Sequence, residues 1–404
     1  MTLPIRVAVI GGGRGRSFMH GAQNLPDKLK LTTICDLREA TLADWRSHAD
    51  IHCTTDYEEV LNDPNIDAVC IATPVQMHAR QAIAALEAGK HVLSEVTAAY
   101  TLDECWGLIE AVERSGLTYM MAENYCFTRD VMMVSEMVRQ GVFGDIIFAE
   151  GSYLHDCRDL FFHPDGELTW RGELRRTGFF NGYPTHSLGP VCQWLDINRG
   201  DRLASTATWH SGSSAVGPYV QRNLGSEHPL VDNAQWRLPD TVSTLIRTEQ
   251  QRLIEHRLDF ASPRPHHMNR YALQGTRASF TSHVDPHQES LIWIEDRSPT
   301  SKSGVAQSWE PLFKYAAEFE HPLWRRSAEE AAKAGHGGGD YFILREFADA
   351  IIENRPPLID VYDAVTWSSI TPLSAISMEH NNAPVAVPDF KNRARREQEK
   401  TLHS

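Results

Sequence analysis

Short apolar runs rich in β-branched residues, at 5–10, 31–36, 66–72, 91–95 and 117–122, alternate with stretches of helical period over the first 124 residues. Unbroken apolar runs describe strands buried on both faces, and intervening helices describe parallel crossovers. Residues 1–124 therefore predict an α/β domain with a doubly wound parallel sheet. The period changes after Tyr125. A helix is predicted over 130–140, closed by Gly141, then a strand over 146–153 and long irregular stretches rich in Trp, Arg and His as far as Pro239. Strand-like segments at 241–248, 253–260, 270–274, 278–282 and 290–294 follow, alternating apolar with polar residues as in an antiparallel sheet with one open face. Helices are expected over 340–354 and 361–380, packing on that sheet or returning to the first domain. Residues 125–390 thus read as an α+β C-terminal domain with an open antiparallel sheet, and 391–404 as a charged, flexible tail.

The chain has 404 residues, 42% hydrophobic and 23% charged, enough for two ordinary cores in a globular protein. A net charge of −14 gives no electrostatic footprint for nucleic acid or for an anionic membrane surface. Seven cysteines are scattered, odd in number and never spaced Cys-x-x-Cys, so they read as reduced structural thiols. No export signal is evident at the N-terminus, and no apolar run reaches the roughly 18 residues of a spanning helix, so a cytoplasmic location is expected. His266-His267 and His283 with His287 lack the accompanying Cys or carboxylate spacing of a metal centre, and none is expected.

Gly11-Gly12-Gly13-Arg14-Gly15 lies between the first strand and a helical stretch, where a phosphate-cradling turn belongs. Glycines there let backbone N–H groups approach a pyrophosphate at a helix N-terminus. If Gly11 and Gly13 are the first two fingerprint glycines, Arg16 falls at the third, so the match is imperfect. Asp36 ends the second strand, 25 residues after Gly11, where an acid can hold the adenosine ribose hydroxyls and repel a 2′-phosphate. NAD is favoured over NADP as cofactor. Thr73 and Pro74, at the end of the third apolar run, form another wall of this Rossmann-type cleft, with His78 beside them as a binding or local packing residue.

The segment Asn181-Gly182-Tyr183-Pro184-Thr185-His186-Ser187-Leu188-Gly189-Pro190 sets two proton-transfer side chains three residues apart in a stretch punctuated by glycine and proline. Irregular segments of this kind present functional groups from a rigid scaffold, and histidine titrates near neutral pH. Tyr183 and His186 are the candidates for chemistry; a purely structural pair is the alternative.

Ile71-Ala72-Thr73-Pro74 with His78, followed by Ala88-Gly89-Lys90-His91-Val92-Leu93-Ser94-Glu95, resembles the Gfo/Idh/MocA family of NAD(P)-dependent enzymes. The resemblance implies an N-terminal Rossmann domain, a C-terminal α+β domain, and cofactor contacts at Gly11, Gly13, Arg14, Gly15, Asp36, Glu95 and Asn124. Dehydrogenases of that family carry Glu-Lys-Pro where this chain has Glu95-Val96-Thr97, and valine can neither donate nor accept a proton. Met121-Ala122-Glu123-Asn124, Tyr183-Pro184-Thr185-His186, Glu320-His321-Pro322-Leu323-Trp324 and Ala334-Gly335-His336-Gly337-Gly338 are similar to glycoside hydrolase family 109. NAD-dependent sulfoquinovosidases share the wider superfamily.

This narrower resemblance implies an NAD-dependent glycosidase that oxidises the sugar at C3, eliminates the aglycone, adds water and re-reduces C3. Such enzymes are recognised exceptions to the paired-carboxylate mechanism. It further implies that His186 accepts the C3 hydroxyl proton, that Tyr183 transfers the C2 proton, and that Tyr153 and Glu123 belong to the active site. Arg171, Arg175 and Arg176 precede the active segment and would suit an anionic sugar such as a sulfonate. The partner implied is a small-molecule glycoside, and family analogy implies a homo-oligomer. A sugar dehydrogenase whose missing lysine is replaced by Tyr183 or His186, and a non-catalytic NAD-binding module, remain open as alternatives.

Overall fold

The structure, a computed structural model, describes residues 4–392 apart from 48–50, 266–268 and 286. His266 and His267, weighed above as metal ligands, lie outside the described residues, as does the tail beyond 392.

The chain divides into two compact units. The first comprises residues 4–132, 321–369 and 390–392. Its strands are β1 (Ile5–Ile10), β2 (Leu29–Cys35), β3 (His52–Thr54), β4 (Ala68–Ile71), β5 (His91–Ser94) and β6 (Tyr119–Met121). They form a wholly parallel sheet ordered β3-β2-β1-β4-β5-β6. β4 and β6 are buried at every position, as unbroken apolar runs require when helices cover both faces. The order reverses at β1 and β4, which places the ligand crevice of such a sheet at their carboxyl ends. β3 is absent from the apolar pattern because this three-residue edge strand is largely polar.

The second domain, expected to be continuous over 125–390, is interrupted. Helix Gly339–Glu353 packs on helix Arg16–Gln23, so closely that a Cβ on Gly21 would overlap the Leu344 side chain. Helix Val361–Ser368 packs on helix Leu102–Ser115 and on β6. The single helix expected over 361–380 is two, because its second part, Ile370–Glu379, covers β8 of the other unit.

The second unit comprises residues 133–320 and 370–389. Its strands are β7 (Ile146–Leu154), β8 (Leu203–His210), β9 (Thr241–Thr248), β10 (Leu253–Asp259), β11 (Asn269–Gly275), β12 (Ala278–Thr281), β13 (Leu291–Ile294), β14 (Glu310–Pro311) and β15 (Val385–Ala386). The sheet order is β14-β13-β12-β11-β7-β10-β9-β8-β15. It is mixed: β7 pairs with β10 in parallel, and the remaining pairs are antiparallel. The stretch expected to be irregular up to Pro239 holds helices Trp170–Thr177, Thr185–Trp194 and Val216–Asn223 as well as β8. β8 escapes the apolar pattern because threonines, Thr206 and Thr208, occupy inward positions. Helix Thr185–Trp194 lies on β7, while Trp209, Leu245 and Leu253 are exposed on the opposite face. Among the described residues no helix is long and apolar enough to cross a membrane.

Candidate active site

In the first unit the glycine turn sits at the carboxyl end of β1. Gly11 has φ +94°, and a Cβ there would lie 2.6 Å from the Ala72 carbonyl oxygen, so only glycine fits. A Cβ on Gly15 would overlap Gly11 O and a Val9 methyl. The close helix-to-strand approach of the third fingerprint glycine, which the spacing assigned to Arg16, therefore falls on Gly15, whereas Gly13 has room around it. The Asp36 carboxylate accepts from the backbone N–H of Gly12 at 2.7 Å and of Arg38 at 2.8 Å, and Trp45 donates to Gly12 O at 2.9 Å. The acid that would meet a ribose thus also fixes the phosphate turn.

Around this turn, Arg14 donates from Nε to Glu95 at 2.6 Å, while its Nη2 lies 3.5 Å from Asp340. Asn124 donates from Nδ2 to the same Asp340 oxygen at 3.0 Å, and His336 Nδ1 meets the other at 3.0 Å. Burial alone would raise the Asp340 carboxyl, but the His336 hydrogen bond, the Arg14 and His336 charges and the Asn124 amide outweigh it and bring it down to about 2. A Cβ on Gly339 would overlap Asn124 O, so the glycine run preceding Asp340 is what lets this helix start beside Asn124. Asn124 Oδ1 is buried without a partner among the described residues. A turn without room for a Cβ at Gly11 or Gly15, a carboxylate at the second strand end and an orphaned amide oxygen fit a dinucleotide.

Other cofactor candidates are differently employed. Thr73 Oγ1 donates to Gln81 at 2.5 Å, and Pro74 precedes the short 3-10 turn Val75–Met77. Of the two readings given for His78, the packing one fits its surroundings: it is buried, its two ring nitrogens meet Thr97 O at 2.8 Å and Thr73 O at 2.9 Å, and desolvation lowers its pKa. Glu123 is fully buried and accepts from Tyr125 N at 3.3 Å. Val96, in the customary lysine's place, is buried.

The second unit gathers Tyr153, from β7, with Tyr183 and His186. The His186 ring stands edge-on to both tyrosines, at centroid distances of 5.1 Å to Tyr153 and 5.0 Å to Tyr183, and the tyrosines are 5.9 Å apart. Phe260, which the sequence did not mark, walls the group at 5.2 Å from Tyr153 and 5.7 Å from Tyr183. Thr185 and His186 are not in a loop, as expected, but open helix Thr185–Trp194; only 181–184 is irregular. His186 is 8% exposed and Tyr183 half-buried, so the first helical turn shields the imidazole while leaving the phenol accessible.

The three arginines do not join this cluster as a fork. Arg175 is corrected: its guanidinium is buried, donating to Asp240 at 2.9 Å and Pro239 O at 3.0 Å, so it serves the fold. Arg176 pairs with Glu173 one helical turn away, at 3.0 Å. Arg171 is exposed and stacks over the Trp170 indole at 4.3 Å.

Residues 5–123 match the oxidoreductase family with an NAD-binding Rossmann fold, and residues 127–396 match the glycosyl hydrolase 109 C-terminal domain. A glycosyl hydrolase family 109 protein of Stenotrophomonas maltophilia is 34% identical, over 96% of this chain and 89% of its own length. An α-N-acetylgalactosaminidase of Tannerella forsythia is 33% identical, over 96% of this chain and 86% of its own. Among solved structures, levoglucosan dehydrogenase in complex with NADH superposes with a TM-score of 0.76 at 20% identity, covering 95% of this chain and 99% of its own, which is a likeness of fold. With an NAD-binding Rossmann domain followed by the family's own C-terminal domain, the chain belongs to glycoside hydrolase family 109.

Proposed function

We propose that this chain hydrolyses a glycoside by transient oxidation at C3 of the sugar, with NAD used and regenerated in each turnover. The observation that carries the reading is the Tyr153–Tyr183–His186 cluster in a chain whose usual catalytic lysine position holds Val96. Bound NAD supplies reversible hydride acceptance. Gly11 and Gly15 would cradle its phosphates, Asp36 would hold the adenosine ribose, and Arg14, Glu95 and Asn124 would serve the same cofactor.

His186 accepts the C3 hydroxyl proton as that carbon is oxidised. The C3 carbonyl makes the C2 proton removable, and Tyr183 takes it. A phenol, with an ordinary pKa of ~10, takes up a proton only as the phenolate, so the Tyr183 hydroxyl proton must first pass to solvent; His186, protonated in the preceding step, is a cation against the Tyr183 ring that favours this ionisation. The C1–O bond to the aglycone then breaks as a C1–C2 double bond forms, the aglycone oxygen leaving with the bonding pair. Water adds its oxygen to C1 and gives up a proton that neutralises the aglycone, Tyr183 returns its proton to C2, and His186 returns its proton to the C3 oxygen as that carbon is reduced, completing a net hydrolysis. N-acetylgalactosaminides are the first substrate class to test, given the activity named for the Tannerella forsythia relative. Sulfoquinovosides are the second, with Arg171 the remaining arginine candidate.

Purified protein incubated with nitrophenyl glycosides, including both classes, is expected to release the aglycone without accumulating NADH. Stoichiometric NADH would instead identify a sugar dehydrogenase. A substrate deuterated at C2 should lose its label to solvent, and full retention in the product would rule out elimination.

A further inference from the structure

Helix Thr185–Trp194 contains Pro190. In an α-helix the N–H of residue 190 would bond the carbonyl of residue 186, and proline has no N–H, so the helix itself leaves the His186 carbonyl without that partner. Tyr271, a buried residue of β11, supplies it: its hydroxyl donates to His186 O at 2.6 Å. The ring is held in place by Trp194 of the same helix, edge-on at 5.8 Å.

The register of the sheet shows that this is one part of a larger device. Gly151 of β7 is flanked by Tyr271 on β11 and by His256 on β10, and His256 is paired in turn with Thr244 and Thr244 with Thr208. Thr208, Thr244, His256, Gly151 and Tyr271 therefore form one row across five strands. Gly151 is the saddle, since a Cβ there would overlap Ser187 O. On one side of the saddle His256 Nε2 lies 2.7 Å from Ser187 Oγ, and its Nδ1 accepts from Asn181 Nδ2 at 2.9 Å. Asn181 also donates to Thr244 at 3.3 Å, which bonds Thr208 at 3.1 Å. On the other side stands the Tyr271 hydroxyl. The segment carrying Tyr183 and His186 is thus pinned at Asn181, at His186 and at Ser187 by side chains from a single row.

We infer that Tyr271 and His256 are positioning residues for the Tyr183–His186 pair, with the Tyr271 hydroxyl standing in for the helix bond that Pro190 removes. The inference rests on the assignment of that pair to proton transfer. Its distinguishing consequence is a rescue: an N–H restored at position 190 should replace the lost hydroxyl.

The test compares wild type, Tyr271→Phe, Pro190→Ala and the double variant on a nitrophenyl glycoside that the wild type cleaves. Tyr271→Phe is expected to lower kcat about 10-fold or more, with KM and bound NAD within about twofold of wild type, since misplacing a proton-transfer group costs rate before affinity. Tyr271→Phe with Pro190→Ala is expected to recover most of that loss. A Tyr271→Phe kcat within about twofold of wild type, or a loss that Pro190→Ala does not relieve, overturns the inference. Should the wild type cleave no glycoside, the functional reading fails separately. The positioning claim is then read from the His186 ring resonances by NMR at fixed pH, which Tyr271→Phe should displace and the double variant return; undisplaced resonances overturn it.

Discussion

His256 is fully buried, and desolvation takes its pKa down to about 4 from an ordinary 6.5, against a small opposing effect of the Pro184 carbonyl. Its neutral ring is what allows Nδ1 to accept from Asn181. The unfolded chain takes up the proton near pH 6.5 while the folded chain resists until about 4. Stability from this site is therefore complete above about pH 6.5 and declines as pH falls toward 4, by at most about 1.4 kcal/mol per pH unit. Denaturant unfolding between pH 7 and 4.5 should show that decline in wild type and a shallower one in His256→Asn; equal slopes would remove His256 as its source. Of the residues marked in the sequence, Tyr183 and His186 were visible because proline and glycine surround them, and Tyr153 through resemblance alone. Tyr271, His256 and Phe260 carried no signal, because the first two are ordinary strand residues and the third directly follows β10, and their importance comes from what lies across the sheet. Arg175 misled for the opposite reason: three arginines just before the active segment read as a fork for an anionic sugar until Asp240 is found buried against one of them.

At the scale of elements, helix Thr185–Trp194 rests on β7 at Gly151. Gly151→Ala should force helix and strand apart, costing about 1–3 kcal/mol of stability and lowering kcat with it. An unchanged denaturation midpoint would show that the helix can lift without loss. The parallel sheet was legible because β1 and β4 are buried on both faces and apolar at every position but Arg6. β8 and the three helices between residues 154 and 239 were not. Inward threonines invert the expected alternation of β8, and the helix carrying His186 has both a glycine and a proline within it, the residues that ordinarily mark a loop. Packing against the sheet overrides those local preferences, and tertiary context of that kind leaves no period in the sequence.

Across the whole molecule, cofactor binding should register as stability. A ligand held only by the folded chain adds about 2.7 kcal/mol at a hundredfold excess over its Kd, so NAD should raise Tm. NADP, whose 2′-phosphate would meet the Asp36 carboxylate, should raise it less; equal shifts would show that Asp36 does not select. The division into units has a further consequence, in the order of synthesis. Phe18 and Met19 of helix Arg16–Gln23 are buried, and that helix packs on one the ribosome delivers more than three hundred residues later. Asp340, which arrives with it, completes the ring of partners around Arg14 and Asn124. A nascent chain that has finished β6 has therefore written the dinucleotide fingerprint without yet owning the unit that uses it, and the first 132 residues cut from the gene would make an incomplete domain with an uncovered helix.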